Sequence, residues 1–261
     1  MVYKVQDTSK VKDLFEGWEE TIIYSALDNI MGEIYTDTSP DTKADSAMLW
    51  LGEFILFVGK PSEELVGYRP EGYKSNFSIF IAKHDENEQL WHSAIEKVYG
   101  SRAKRITRYA TKKEPHVFDI ELLIRTADSL PEGYSFALMD EALYNECKKL
   151  EWGKDFVSQY PSWEKYKENA VGVMCINNGE IVAGMSTFSH FKGGIELELA
   201  TREDHRRKGL AKAVSAKMLL ECQKRGLYPS WDAANIASIT MAKFFGYQFD
   251  CEYPAYEISN Y

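Results

Sequence analysis

The feature that most constrains the fold of this chain is the segment 195–226, IELELATREDHRRKGLAKAVSAKMLLECQKRG. Apolar and polar residues alternate strictly over Ile195–Thr201, which predicts a β-strand. A charged turn follows, and then a segment with the spacing of one buried helical face, formed by Ala211, Val214, Met218 and Cys222. A strand that enters a helix through a short turn indicates a mixed α/β or α+β architecture.

The turn between this strand and helix has the properties of an anion-binding site. The first amides of a helix have no intrahelical partner, and the helix N-terminus carries partial positive charge. Gly209 would let a ligand approach the backbone closely, and Ala211 would keep the next contact small. Full positive charges are added by Arg206, Arg207, Lys208 and Lys212. The turn therefore suits a pyrophosphate; the alternative interpretation is a solvated, charged helix start.

Other ligand classes are disfavoured by pattern and charge. The turn has neither the G-x-x-x-x-G-K-S/T nor the G-x-G-x-x-G pattern, which argues against nucleotide hydrolysis and dinucleotide binding. A formal net charge of −9 does not suit the binding of nucleic acid, whose phosphates need a basic surface. The same acidic field would attract a cationic amine substrate.

Metal sites and membrane attachment are not expected either. The four cysteines form no C-x-x-C pair and the five histidines show no metal-ligand spacing, so no metal is predicted. The N-terminal segment Met1–Lys12 has no apolar core of a signal peptide, and Ala47–Val58 is too short to span a bilayer. These features predict a cytoplasmic protein without membrane contact.

A soft boundary is predicted near the charged stretch that ends at Pro115. It divides the chain into an N-terminal α/β region, 1–116, and a C-terminal domain, 117–261. In the first region, Ser9–Ile30 has a helical pattern. In the second, Phe118–Ile124 alternates like a strand, and Asn177–Gly179 has the composition of a hairpin turn.

The string Arg206-x-x-Gly209-x-Ala211 after an alternating strand resembles the pyrophosphate loop of the GNAT acyltransferases, which reads R/Q-x-x-G-x-G/A. Downstream, the segment 228–235, YPSWDAAN, resembles the next strand of that family and its Asn. The segment 245–247, FGY, resembles the end of the following helix. The resemblance implies a GNAT fold in the C-terminal half of the chain.

A narrower likeness is carried by the combination P-x-W-D-A-x-N-x-x-S, from Pro229 to Ser238. It is similar to the GNAT subfamily that includes the zwittermicin A resistance protein. The resemblance extends over 171–256, about a third of the chain. The N-terminal half is associated with that subfamily only by overall length. It is either a second α/β unit that helps to form the substrate cleft or a dimerisation element, so a homodimer is one expected assembly.

The resemblance implies a role for each group of residues at a site for acetyl-CoA. The backbone at the end of the strand, Leu199, Ala200 and Thr201, would pair with the pantetheine arm and polarise the thioester carbonyl. Asn235 and Ser238 would lie beside the pantetheine or its sulfur. The pyrophosphate would be held by the loop residues Arg206, Arg207, Lys208, Gly209, Leu210, Ala211 and Lys212.

Two carboxylates are candidates for the base that acetyl transfer to an amine requires. Glu196 and Glu198 alternate with apolar residues, so both should lie on one face of the strand. GNAT enzymes often place a glutamate base on this strand; the alternative is that both carboxylates are simply exposed. The residues alone do not choose between Glu196 and Glu198.

The sequence departs from the family pattern at the general acid. Many GNAT enzymes have a tyrosine at the position held here by Ala242. The proton donor would then be Tyr247, Tyr253, Tyr256 or water, or no donor is needed. Two conspicuous histidines, His190 and His205, are expected to be inert, the second of them on the surface.

These observations predict an N-acetyltransferase that moves acetyl from acetyl-CoA to an amine of a small molecule, such as an amino-bearing antibiotic or metabolite. The first alternative is a GNAT-fold sensor or regulator that binds acyl-CoA without efficient chemistry. The second is an interaction protein with a charged helix start. Turnover separates the first two, and coenzyme A binding separates both from the third.

Overall fold

The computed structural model describes residues 1–39, 42–114 and 118–261 of the 261-residue chain. They form two compact units. The first unit contains Met1–Tyr109 together with the chain end Cys251–Tyr261, and the second contains Ala110–Asp250. The predicted boundary between 116 and 117 lies outside the described residues and remains a prediction.

The first unit begins with a short strand and two 3₁₀ turns, Thr8–Lys10 and Lys12–Phe15. Its strands and helices up to the second unit are β1 (Tyr3–Lys4), α1 (Thr21–Leu27), β2 (Glu33–Thr36), β3 (Ser46–Leu51), β4 (Phe54–Gly59), α2 (Glu63–Val66), β5 (Phe77–Ala82), α3 (Glu88–Tyr99) and β6 (Ala103–Thr111).

Among the described residues, the second unit contains three α-helices before its central crossover and two that flank its last strand. Its elements are α4 (Ile120–Asp128), β7 (Tyr134–Leu138), α5 (Glu141–Cys147), α6 (Trp163–Asn169), β8 (Gly172–Asn177), β9 (Glu180–Phe191), β10 (Gly194–Thr201), α7 (Leu210–Arg225), β11 (Tyr228–Ser230) and α8 (Ile236–Phe244). The final strand of the chain is β12 (Phe249–Ser259).

The first unit is organised around a seven-stranded sheet with the order β1-β2-β3-β4-β5-β12-β6. Strands β1 to β4 form an antiparallel meander, and β5 then pairs with β4 in parallel. The last strand of the chain, β12, is inserted next to β5. Its residues Tyr256 and Ile258 lie in one apolar core with Phe57, Phe80 and Trp91.

The second unit repeats this arrangement with a five-stranded sheet of order β11-β10-β9-β8-β7. Strands β7 to β10 form an antiparallel meander, and β11 pairs with β10 in parallel. The hairpin between β8 and β9 turns at Asn178 and Gly179, which both have positive φ, as predicted. Helix α7 crosses from β10 to β11 and packs against α4, β8 and β9.

Two segments differ from the sequence-based predictions. The predicted strand Phe118–Ile124 is instead the start of α4, because Asp119 caps the helix by accepting a bond from the amide of Leu122, 2.9 Å. The predicted helix Ser9–Ile30 is broken into the two 3₁₀ turns and α1. Asp7, not Ser9, caps the first turn. Among the helices of the described residues, none combines the length and apolar character needed to cross a bilayer.

Candidate active site

The central feature of the second unit is an edge of β10 that opens halfway along the strand. Strand β11 is short, and its residues pair with Gly194–Glu196 only. On the other side β10 pairs with β9 along its whole length, from Gly194 to Thr201. Among the described residues, the stretch 197–201 therefore has a strand partner on one side alone. Its second edge can accept an extended ligand.

The register shows which backbone groups face this open edge. Arg202, next after β10, donates its amide to the carbonyl of Val182, 2.9 Å. Hydrogen-bonded positions alternate in an antiparallel pair, so Ala200 also turns its backbone groups towards β9. Leu199 and Thr201 turn theirs the other way. Of the three predicted strand-end residues, these two present backbone donors and acceptors at the open edge.

The loop after β10 has an unusual backbone conformation at two positions. Arg207 and Gly209 both have left-handed φ, 61° and 79°. Such a conformation is strained for arginine and free for glycine. A side-chain Cβ built on Gly209 would meet no atom within 4 Å, so the space in front of it is open. Alternating backbone signs of this kind turn successive amides towards one concavity.

The start of α7 supplies unpaired helix amides and positive charge. Its first intrahelical bond runs from the amide of Ala213 to the carbonyl of Gly209, 3.1 Å, and Gly209 makes no side-chain cap. The amides of Leu210, Ala211 and Lys212 therefore lie ahead of the first helical bond. Leu210 is buried in a small core with Val182 and Ala183, which fixes the helix start against the sheet.

The four basic side chains around this helix start are exposed, and two of them also contact other groups of the protein. Arg206, Arg207, Lys208 and Lys212 are exposed. Arg206 turns back and donates its Nε to the carbonyl of Thr201, 3.2 Å. Lys212 lies with its Nζ 3.2 Å from the ring centroid of Phe244, a cation–π contact from α7 to α8. The loop therefore presents both amides and charge to solvent.

His205, predicted to be an inert surface residue, is buried in this loop with 8% of its surface exposed. Its Nδ1 lies 3.0 Å from the hydroxyl of Tyr134, and its Nε2 lies 2.9 Å from a guanidinium nitrogen of Arg202. Arg202 also binds Asp204 and Glu180. The histidine thus ties the loop to β7, a contact from a distant part of the chain that local sequence does not reveal.

Asn235 and Ser238 lie together at the start of α8. Asn235 is exposed, and its side-chain oxygen accepts the amide of Ser238, 3.0 Å, so it caps the helix. The hydroxyl of Ser238 accepts the indole N–H of Trp231, also 3.0 Å. Trp231 is buried between Phe245 and Tyr247, as expected for a core residue. The motif P-x-W-D-A-x-N-x-x-S therefore has a structural function in joining β11 to α8.

The two candidate carboxylates share a face of β10 but differ in environment. Glu196 has 8% of its surface exposed, and its Oε1 accepts the backbone amide of Asp232, 3.0 Å. Glu198 is half-buried. The pairing of β10 with β9 shifts by one residue between Glu196 and Leu197, which is a β-bulge. Bulges re-aim side chains near functional sites.

An aromatic layer covers the neighbouring part of this face. Ser186, the β9 partner of Glu198, donates to the carbonyl of Phe156, 2.6 Å, and shares a hydrogen bond with the hydroxyl of Tyr166, 2.7 Å. Phe156 ends a 3₁₀ turn, Lys154–Phe156. The side chains of Ser186, Phe156 and Tyr166 are all buried. The stretch 152–163, which contains Trp152 and Trp163, thus packs on the sheet through a 3₁₀ turn and the start of α6.

His190, near the end of β9, is half-buried next to this layer. Its ring stacks on Tyr160 with centroids 6.0 Å apart. Burial lowers the pKa of His190, although the charge of Glu168 opposes this. Burial therefore favours the neutral imidazole more than in a free histidine.

The three tyrosines considered as proton donors are already engaged. Tyr247 is buried and donates its hydroxyl to the carbonyl of Pro229, 2.6 Å; burial raises its pKa well above the usual value. In the first unit, Tyr256 donates to Glu96, 2.6 Å, and the hydroxyl of Tyr253 accepts from Arg108, 3.2 Å. Ala242 is fully buried in α8. Within the second unit, Tyr247 is therefore not a ready donor to a ligand at the open edge of β10, because its proton is committed to Pro229.

The second unit thus combines an open strand edge, an amide-rich basic loop and a buried carboxylate. A family model described as GNAT acetyltransferase matches residues 12–256 of the chain. The chain belongs to this family and is an enzyme of the acyltransferase class. The matched residues include most of the first unit, which the sequence analysis associated with the family only by overall length.

Individual relatives agree with this assignment. A solved GCN5-related N-acetyltransferase-like protein from Streptococcus suis is 38% identical, with a TM-score of 0.89 over 97% of this chain and 98% of that one. The uncharacterized N-acetyltransferase YdfB of Bacillus subtilis is 23% identical over 95% of this chain and 94% of its own length. A tandem GNAT protein from the clavulanic acid biosynthesis pathway shares the fold, with a TM-score of 0.55 and 10% identity over 100% and 98% of the two chains.

Further residues surround Glu196, and the serines among them were not proposed for the site from the sequence. The backbone amide of Asp232 binds Glu196, and two serines, Ser189 and Ser230, are the register partners of Glu196 on β9 and β11. Only the pairing of strands reveals this row. The described residues hold no group of three or more His, Cys, Asp or Glu side chains that could bind a metal ion.

Proposed function

We propose that this chain transfers the acetyl group of acetyl-CoA to an amine of a small molecule. The observation that carries the proposal is the combination of the open edge of β10 with the amide-rich start of α7. An extended amide-bearing arm can pair with the backbone of Leu199 and Thr201. The pyrophosphate of the same molecule would meet the amides at Leu210–Lys212.

The residues of the loop fit this carrier in size and charge. Gly209 leaves open space where another residue would place a side chain. Arg207, Lys208 and Lys212 are exposed and can pair with phosphate oxygens. Asn235 and Ser238, at the start of α8, are proposed to lie beside the pantetheine arm in addition to their structural bonds.

The chemistry requires few protein groups. The nitrogen lone pair of the neutral amine attacks the thioester carbonyl carbon, the C–N bond forms, and the C–S bond breaks. The proton lost by the nitrogen passes to a carboxylate, and the departing thiolate takes a proton from solvent. Glu196 or Glu198 would accept the first proton. Holding the amine and the thioester together supplies much of the remaining rate.

The acceptor is proposed to be a cationic small molecule. The net charge of −9 and the carboxylates of Glu196, Glu198 and Asp232 favour an amine over an anionic acceptor. The motif from Pro229 to Ser238, which resembles that of the zwittermicin A resistance protein subfamily, supports an amino-bearing antibiotic or metabolite within this class.

The first test is thermal unfolding of the full chain with and without acetyl-CoA. A ligand that binds only the folded state raises the midpoint of unfolding. We expect acetyl-CoA to raise it and ATP and NAD to leave it unchanged. A release of free thiol from acetyl-CoA with an amino sugar, a polyamine or an amino acid ester would then show turnover. Binding without turnover would indicate a sensor, and no shift with acetyl-CoA would refute the proposed site.

A further inference from the structure

The row Ser189–Glu196–Ser230 crosses three neighbouring strands at the point where β10 and β11 separate. Ser189 of β9 and Ser230 of β11 are both register partners of Glu196 in β10. Side chains at paired positions lie on the same face of a sheet, with Cβ atoms about 4.5–5.5 Å apart. The two hydroxyls therefore flank the carboxylate of Glu196 from opposite sides.

Both hydroxyls are buried without a hydrogen-bond partner among the described residues. Ser189 and Ser230 have no measurable exposure, and their Oγ atoms are among the few buried polar atoms that make no bond. Leaving a buried hydroxyl unsatisfied is costly, so such groups in a folded protein need an explanation. The side chain paired with both serines carries a carboxylate, which is a strong acceptor for hydroxyl donors.

The serine next to Glu198 differs from the two serines next to Glu196. Ser186, the β9 partner of Glu198, has its hydroxyl committed to Phe156 and Tyr166 of the aromatic layer. The hydroxyls beside Glu196 have no such commitment. Of the two candidate bases, Glu196 is thus the one whose neighbouring serine hydroxyls, on both adjacent strands, make no hydrogen bond to another described residue.

We propose that Ser189 and Ser230 are positioning residues for Glu196, donating to its carboxylate directly or through a water so that it accepts the proton of the attacking amine. The inference rests on the proposed acetyl transfer. The proton moves from the amine nitrogen to Glu196, and neither serine loses its own proton. The serines hold the carboxylate in one orientation, together with the amide of Asp232.

Other titratable groups lie near this carboxylate in the sheet or interact with its charge. Its charge helps to raise the pKa of Tyr228, to about 12, and that of Tyr247, in both cases after the larger effect of burial. Lys113 acts on Tyr228 in the opposite direction. Glu198 lies two residues along the same strand, and His190 follows Ser189 on β9. The variants tested below leave all of these groups in place.

The kinetic test compares Ser189→Ala and Ser230→Ala with the wild type, by thiol release from acetyl-CoA with the best amine of the panel above. We expect kcat to fall about tenfold in each variant, part of the 10²–10⁴ that a general base supplies. The KM for acetyl-CoA should be unchanged. The acidic limb of the kcat/KM profile should move to higher pH, because a carboxylate without donors holds its proton longer.

Ser215→Ala is the matched control, since Ser215 is equally buried in α7 and its hydroxyl donates to the sulfur of Met241, 3.9 Å. It should keep the wild-type profile. If the wild type turns over and both serine variants keep its kcat and its acidic limb, the inference is wrong while the proposed function stands. If the wild type binds no acetyl-CoA, both are wrong.

A crystal structure of the full chain provides a test that does not depend on turnover. We expect both Oγ atoms to lie within hydrogen-bond distance of the Glu196 carboxylate or of a water that touches it. Serine hydroxyls that donate to main-chain carbonyls instead would overturn the inference.

Discussion

The two units contain the same succession of five strands, and among the described residues the features of the proposed ligand site occur in the second unit. In each, four strands form an antiparallel meander and a helical crossover leads to a fifth, parallel strand: β1 to β5 in the first unit and β7 to β11 in the second. The difference lies in the crossover. Helix α7 has 16 residues, whereas α2 has four.

In the first unit, protein groups occupy the two places that are open in the second unit, namely the strand edge and the helix start. Strand β4 pairs with β5 up to Phe57, and the amide of Lys83 then continues the ladder to the carbonyl of Phe57, 2.9 Å. The indole of Trp91 donates to the carbonyl of Gly59, 2.9 Å, at the end of β4. The strand end is therefore satisfied by a protein side chain.

The helix starts differ in the same sense. The hydroxyl of Ser62 accepts the amide of Leu65 and caps α2, and the first turn carries Glu63 and Glu64. Acidic side chains already complement the helix dipole there and would repel a phosphate. The start of α7 has no side-chain cap and no acidic residue in its first turn. An anion site thus depends on what caps the helix and on the separation of two strands, and the strand order alone does not create it.

The largest effect is expected from Gly209→Glu. A side chain and a negative charge would enter the concavity where the pyrophosphate is proposed to bind, and like charges at close range cost several kcal/mol. We expect the Kd for acetyl-CoA, measured by calorimetry, to rise about 100-fold or more. Gly209→Ala is the control, since it adds the strain of a positive φ without the charge. An unchanged Kd in the glutamate variant would refute the loop assignment.

A second prediction concerns the closed crossover. Trp91→Phe leaves the carbonyl of Gly59 without its donor and a small void in the core, which should lower the free energy of unfolding by about 2–3 kcal/mol. Urea unfolding measures this. Trp50→Phe is the matched control: its indole bonds to Gly52 at a half-buried site where water can replace it. The Kd for acetyl-CoA should stay the same; a tenfold change would mean that the closed crossover also acts in binding.

Lys212→Gln should weaken acetyl-CoA binding about tenfold, because one charge-assisted bond to phosphate is lost. Raising the salt concentration should reduce the difference between variant and wild type. Lys217→Gln, further along α7 and next to Glu221, serves as the control and should bind normally. Equal losses from both substitutions would point to a general effect of charge and would remove the role of Lys212.

The smallest effect is expected in the first unit. Replacing Glu63 and Glu64 together by Gln should leave the Kd for acetyl-CoA unchanged, because the cap at Ser62 and the paired strand end remain. Calorimetry should give one acetyl-CoA bound per chain for wild type and variant. A stoichiometry of two in either protein would contradict the comparison between the units.

The sequence predicted the strand and helix next to the proposed site better than it predicted the surrounding architecture. The strand β10, the loop and α7 were predicted within about a residue, because a period of two changes there to a period of 3.6 within one short segment. The segment 118–124 was assigned wrongly, since a short apolar run fits either period. The cap at Asp119 was the signal for a helix.

Features that depend on distant contacts could not be read from the chain. The burial of His205 depends on Tyr134, 71 residues earlier. The row of Ser189, Glu196 and Ser230 appears only when three strands are placed in register. The membership of the chain end in the first unit is of the same kind, because the pairing of β12 with β5 joins residues far apart in sequence.

The position of β12 has a consequence for how the protein is made. Tyr256 and Ile258 enter the core of the first unit, and β12 lies inside its sheet, between β5 and β6. During synthesis the facing edges of β5 and β6 therefore lack their partner strand until β12 has left the ribosome. Nonlocal pairing of this kind folds slowly. A nascent chain stalled before residue 249 should be open to proteases and chaperones, and a premature stop near the C-terminus should damage the N-terminal unit first.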